Sequence, residues 1–166
     1  MPATHVDIPS PFPSFQGTVL PEWIDWNGHM NIAYYVLAFD RGTDALFDFM
    51  GLNEQYRQQE SCSVFTVELH VNYLREIKEG DAFKIVSHIL GVDEKRVQVF
   101  HHMYHTPSSE LVATNENMFV HIDMNTRRSS PFSETLRERI EIIAKAHASL
   151  PQPDNAGRGI GFRSRP

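Results

Sequence analysis

Four segments with the make-up of β-strands, Cys62–Leu74, Phe83–Leu90, Arg96–His105 and Leu111–Ile122, follow one another across connections too short to hold a crossover helix. Strands joined in this way pair antiparallel. In the first of them Phe65, Val67, Leu69, Val71 and Tyr73 alternate with Thr66, Glu68, His70 and Asn72, which predicts a strand with two unlike faces. The joins Lys78-Glu79-Gly80-Asp81, Gly91-Val92-Asp93-Glu94 and Thr106-Pro107-Ser108-Ser109 are rich in turn formers.

Ahead of this run, Ile32, Tyr35, Val36, Phe39, Thr43, Leu46, Phe47 and Met50 recur at the spacing of a helix with one buried face. The helix is predicted over Asn31 to Met50, with Gly51 placed to end it. A first strand is expected within Phe15–Trp23, around Thr18-Val19-Leu20. The polar stretch Asn53 to Glu60 links the helix to the second strand. A further helix is expected over Ser133–Ala148, with Ser133 as its cap. Strand, long helix, four strands in a meander and a final helix make an α+β chain. Residues 1–14 read as an extended Pro-rich lead-in, 15–149 as a single domain, and 150–166 as a mobile or partner-dependent tail.

Composition narrows the function classes. At 166 residues and 41% apolar content the chain suits one domain with a substantial core. The formal net charge is -6 and no basic run could track a phosphate backbone, so nucleic acid is not an expected partner. A single cysteine, Cys62, excludes an internal disulfide and fits a reducing compartment. No signal-peptide core and no run of about 18 apolar residues is present, so a cytoplasmic location and no membrane partner are expected.

The segment Pro21-Glu22-Trp23-Ile24-Asp25-Trp26-Asn27-Gly28-His29-Met30-Asn31 places a carboxylate, a glycine turn and an imidazole at the start of the long helix. A helix N-terminus presents N–H groups without intrahelical partners and a partial positive charge, so it can polarise a carbonyl or hold an oxyanion. Asp25 is then within reach to act as general base or nucleophile. The competing reading makes Asp25, Asn27 or Asn31 no more than the helix cap. His101, His102 and His105 lie on a strand without cysteine or carboxylate partners at metal-site spacing, so no metal is expected.

Three motifs carry a family resemblance. Asp25-x-x-Gly28-His29-x-Asn31 before a tyrosine-bearing helix, Val67-Glu68-Leu69-His70-Val71-Asn72-Tyr73-Leu74-Arg75 ending in Glu79-Gly80-Asp81, and His121-Ile122-Asp123-x-x-Thr126-Arg127-Arg128 before Pro131 resemble hotdog-fold acyl-CoA thioesterases of the 4-hydroxybenzoyl-CoA type. Together they span about Gly17 to Arg139. The wording of the first motif, with Asp93-Glu94-Lys95-Arg96-Val97-x-Val99-Phe100-His101, is most similar to thioesterases of carnitine breakdown, including those fused to L-carnitine dehydrogenase.

The resemblance implies a hotdog fold, a long helix wrapped by a curved antiparallel sheet of five or six strands, and homodimers or tetramers with active sites between chains. It implies hydrolysis of an acyl-CoA thioester, with betainyl-CoA as substrate. The catalytic carboxylate would be Asp25, and the turn at Gly28 and His29 would hold the thioester oxygen. Trp26, Asn27, Asn31, Tyr34 and Glu68 are candidates for the acyl pocket; a trimethylammonium head favours a carboxylate with aromatic faces. Arg127 and Arg128 are candidates for the CoA phosphates. No cofactor is called for. The alternatives are a thioesterase for short, medium or aromatic acyl chains, a hydratase, and a protein that binds acyl-CoA without cleaving it.

Overall fold

The structure is a computed structural model that describes residues 7–162. The first six residues of the expected lead-in and the last four of the expected tail lie outside the described residues. Six strands and three α-helices follow in the order β1 (Phe12–Thr18), α1 (Ile32–Met50), α2 (Glu54–Glu60), β2 (Cys62–Tyr73), β3 (Ala82–Val92), β4 (Arg96–His105), β5 (Leu111–Asp123), β6 (Arg128–Ser129) and α3 (Glu134–His147). One antiparallel sheet runs β1-β3-β4-β5-β2, with β6 paired to β5.

α1 lies against the inner face of this sheet, as its periodicity requires. Tyr35, Phe39 and Met30 meet Phe83, Ile85 and Met103 in one core cluster; Leu46 and Met50 meet Ile89, Val97, Val99 and three α3 residues, Leu136, Ile140 and Ile143, in a second. Asn31 caps α1, and Gly51 ends it in a left-handed conformation with φ of 97°. Ser133 caps α3, as its sequence predicts.

Four features depart from the sequence reading. β1 begins at Phe12 and stops at Thr18, earlier than the expected Phe15–Trp23, because Phe12 stacks on Phe49 and Pro21 opens a 3₁₀ turn at Pro21–Trp23. The polar stretch after α1 is helical: Asn53 caps α2 by accepting from the Tyr56 N–H at 3.0 Å.

The four later strands are not a simple meander. β2 pairs with β5 at one edge of the sheet, whereas β3 pairs with β1 and β4. The connection between β2 and β3 therefore crosses the end of the sheet instead of turning back on itself. Ile77 within it is buried, its carbonyl accepts from the Met30 N–H at 2.8 Å, and Gly80 and Asp81 bond to Val19 beside β1.

Finally, β2 does not keep one alternation throughout. A bulge at Val67 breaks its register against β5 between Thr66 and Glu68. The extra residue flips the phase. Val64 and Thr66 face α1 on one side of the bulge, Leu69 and Val71 on the other, and Phe65 points to the opposite face under the Arg127 guanidinium.

Candidate active site

The loop between the 3₁₀ turn and α1 is a tight hairpin. Asp25 N–H donates to the His29 carbonyl at 3.1 Å, Gly28 N–H to the Asp25 carbonyl at 3.0 Å, and Asn31 N–H to the Trp23 carbonyl at 2.9 Å. Gly28 sits at φ 78°, a conformation that costs other residues free energy, and a Cβ there would meet nothing within 4 Å. The Asp25 carboxylate accepts from the Asn27 N–H at 2.8 Å and is otherwise only half-buried.

The capping question is settled by Asn31, whose Oδ1 accepts from the Ala33 N–H. Asp25 thus closes its own turn and leaves the helix end to another residue. Gly28 N–H is committed to the turn, while His29 N–H has no acceptor among the described residues. The His29 ring Nδ1 lies 3.2 Å from the Met30 carbonyl, which leaves Nε2 directed elsewhere.

The remaining candidates separate. Trp26 is 97% exposed at the loop tip, and Tyr34 stacks on the buried Trp23 with centroids 5.4 Å apart. Glu68 is on the outer face of β2, near Glu116 and Gln98, with the sheet between it and α1. Arg127 and Arg128 stand at the β5–β6 turn, beside the Cys62 end of β2. The Asp25 loop is at the Tyr73 end, where the Tyr73 hydroxyl donates to the Ile32 carbonyl. Over the twelve residues of β2 these ends are roughly 36 Å apart at about 3.3 Å per residue.

Two sets of features were not read from the sequence. On the inner face, α1 leans toward β1 and β3, and a crevice remains between it and β2 with β5. Its two adjoining parts hold about 270 and 90 Å³ and share Asp40, Thr43, Thr66 and Phe119. Beneath α1, Thr43 Oγ1 donates to the Phe39 carbonyl, so it accepts from His101 Nε2–H at 3.1 Å, and His101 Nδ1 accepts from the Ser87 hydroxyl at 2.7 Å. Burial pushes this ring down to about 3, so it is neutral. The signal for both was the polar residues Asp40, Thr43 and Asp44 interrupting an otherwise apolar helix.

On the outer face, the segment expected to be mobile lies against the sheet. Asn155 Nδ2 donates to Asn72 Oδ1 and Thr114 Oγ1, and Gly157 N–H to Glu116 Oε2 at 2.8 Å. A cavity of about 880 Å³ remains under it, lined by His70, His88, His102 and Tyr104 among others. Burial and the neighbouring His88 hold His102 down to about 4. Among the described residues no His, Cys, Asp and Glu cluster could hold a metal, and no helix is long and apolar enough to cross a membrane.

Comparison with known proteins bears on what this loop belongs to. Residues 19–140 match the thioesterase-like superfamily model. The chain is 40% identical over 149 residues to a betainyl-CoA thioesterase of Pseudomonas aeruginosa, covering 90% of this chain and 94% of that one. It is 33% identical to an L-carnitine dehydrogenase/betainyl-CoA thioesterase of Rhizobium meliloti, of which it spans 32%. Among solved structures, a Staphylococcus aureus protein in complex with CoA superposes with a TM-score of 0.84 at 31% identity, over 90% of this chain and 94% of that one. A candidate thioesterase from Pseudomonas putida superposes with a TM-score of 0.81 at 34% identity, over 95% and 100%. A turn-borne carboxylate ahead of a sheet-wrapped helix, together with a family match across most of its length, makes this chain a member of the thioesterase-like hotdog superfamily.

Proposed function

We propose that this acyl-CoA thioester hydrolase acts on betainyl-CoA, releasing betaine and CoA in the cytoplasm. The observation that carries the substrate is the 40% identity to a betainyl-CoA thioesterase across 94% of that protein. Asp25 supplies the chemistry, either taking a proton from water as it adds to the carbonyl carbon, or attacking that carbon itself to form a mixed anhydride that water then cleaves. The C–S bond breaks, the acyl group leaves as the acid, and the CoA sulfur receives a proton. His29 N–H, with the positive end of α1 behind it, stabilises the oxyanion. Asn27 fixes the carboxylate, and Asn31 holds the first turn of the helix.

The working unit is a homodimer formed through the β2 edges. β2 is an edge strand on which Val67, at the bulge, and Leu69, on the inner face, are both left exposed, and such an edge seeks a partner. Antiparallel pairing of two β2 strands near the bulge carries the Asp25 loop of one protomer to the Cys62 end of the other. Arg127 and Arg128 of that second protomer are then within reach of the CoA phosphates.

The test is CoA release from betainyl-CoA, short- and medium-chain acyl-CoAs and aromatic acyl-CoAs. A preference for betainyl-CoA is the expected result. Turnover confined to neutral chains would remove the betaine assignment, and silence across the panel would remove hydrolysis itself.

A further inference from the structure

The crevice between α1 and β2 holds a charge pattern that α1 does not need for folding. Asp40, Asp44 and Asp48 recur at i, i+4 and i+8 along one stripe of the helix. Like charges at this spacing destabilise a helix, and among the described residues no Lys or Arg forms an ion pair with any of them. Asp44 is held above the ordinary carboxylate range by burial and by Asp40 and Asp48, with only partial relief from Arg57. Of the three, Asp40 and Asp44 line the crevice and Asp48 does not.

A second observation concerns the crevice floor. Asn115 and Asn117 are 2% and 5% exposed, and both line its inner part beside Asp40. They share one hydrogen bond, from Asn117 Nδ2 to Asn115 Oδ1. Asn115 Nδ2 and Asn117 Oδ1 are left without a protein partner among the described residues. Among the described residues no buried side-chain polar atom lacks a hydrogen-bond partner, so these two amide atoms are accessible and open onto the crevice. The floor continues into an aromatic pair in the outer part of the crevice, where Phe119 of β5 meets Phe47 of α1 edge to face with centroids 4.8 Å apart.

We propose that this crevice is the head-group pocket for a quaternary ammonium acyl chain, with Asp40 as its specificity-determining residue. The inference rests on the thioesterase reading above and deepens it. A trimethylammonium group spreads its charge beneath methyl groups and donates no strong hydrogen bond. It is therefore recognised by a nearby carboxylate field and aromatic surface instead of a fixed donor–acceptor pair. Asp40 supplies the field, Phe47 and Phe119 the surface, and the Asn117 carbonyl dipole adds to the negative potential. In the β2-paired dimer this crevice lies at the end of one protomer that the other protomer's Asp25 loop approaches. Glu68, on the outer face, takes no part.

The experiment compares kcat/KM for betainyl-CoA with that for 3,3-dimethylbutanoyl-CoA, which has the same shape and no charge. In Asp40→Asn the betainyl preference falls by about tenfold or more, while the neutral ester is cleaved within about threefold of wild type. Asp48→Asn makes the same charge change on the same helix outside the crevice and leaves the ratio in place. An unchanged ratio in Asp40→Asn, or an equal fall in both variants, overturns the proposal. If wild type cleaves neither ester, the thioesterase reading fails first. The pocket is then judged by NMR titration with tetramethylammonium, where Asp40-dependent shifts of the Asn115 and Asn117 side-chain amides support it and their absence overturns it.

Discussion

Asn31 Oδ1 accepts from the Ala33 N–H at 2.9 Å and closes the first turn of α1. Removing a cap of this type costs about 1 kcal/mol. Asn31→Ala is expected to lower stability by that amount, read from the urea midpoint, because no other side chain reaches the same N–H groups. A variant as stable as wild type would show that the cap is dispensable.

Asp25 is free of that duty, so its neutral isostere separates chemistry from folding. Asp25→Asn is expected to keep the urea midpoint and lose about 10²–10⁴ in kcat. Near-wild-type turnover on the best substrate would exclude Asp25 as base or nucleophile.

Gly42 lies where α1 crosses β1. A Cβ there would stand 3.0 Å from Ser14 Oγ and 3.3 Å from Ile85 Cγ2, in a wall that is already packed. Gly42→Val is expected to cost roughly 1–3 kcal/mol through overpacking, measured by chemical denaturation. A neutral effect would mean that α1 can lift from β1.

His101 and His102 bind protons in the folded protein only near about 3 and about 4, against an ordinary value of 6.5. Both values are depressed, so their contribution is complete above pH 6.5 and is lost as the pH falls below it. The slope is up to about 1.4 kcal/mol per pH unit for each ring. The urea midpoint should therefore fall between about pH 6.5 and 5, above the range where carboxylates titrate. A flat profile in that window would show that neither ring stays neutral.

The outer-face latch is tested at Asn155, which bonds to both Asn72 and Thr114. Asn155→Ala is expected to raise amide exchange at Gly157, whose N–H is held by Glu116, while leaving β5 exchange unchanged. Equal exchange in both proteins would show that the segment is held by other contacts.

α1, the strands β3 to β5 and the glycine turn ahead of α1 were legible because each obeys a local rule: a period of 3.6, a period of 2, or a glycine in a turn. The bulge at Val67 was not. It arises from the match between β2 and β5, strands about fifty residues apart, and no local alternation records it. The β2–β5 pairing was hidden for the same reason, since Lys78–Asp81 has turn composition but bonds to Val19 instead of closing a hairpin. In the pocket, Asp40 and the Asn115–Asn117 pair were missed because single polar residues within apolar patterns read as surface until the opposing strand is known.

At the other end of the molecule, His147 Nε2–H donates to the Pro9 carbonyl at 2.9 Å, and Ser10 Oγ donates to the Ala146 carbonyl at 3.1 Å. These bonds pin the incoming chain to the last turn of α3, next to β1, the edge farthest from β2. Any polypeptide joined upstream is therefore tethered at the corner of the sheet remote from the free edge of β2.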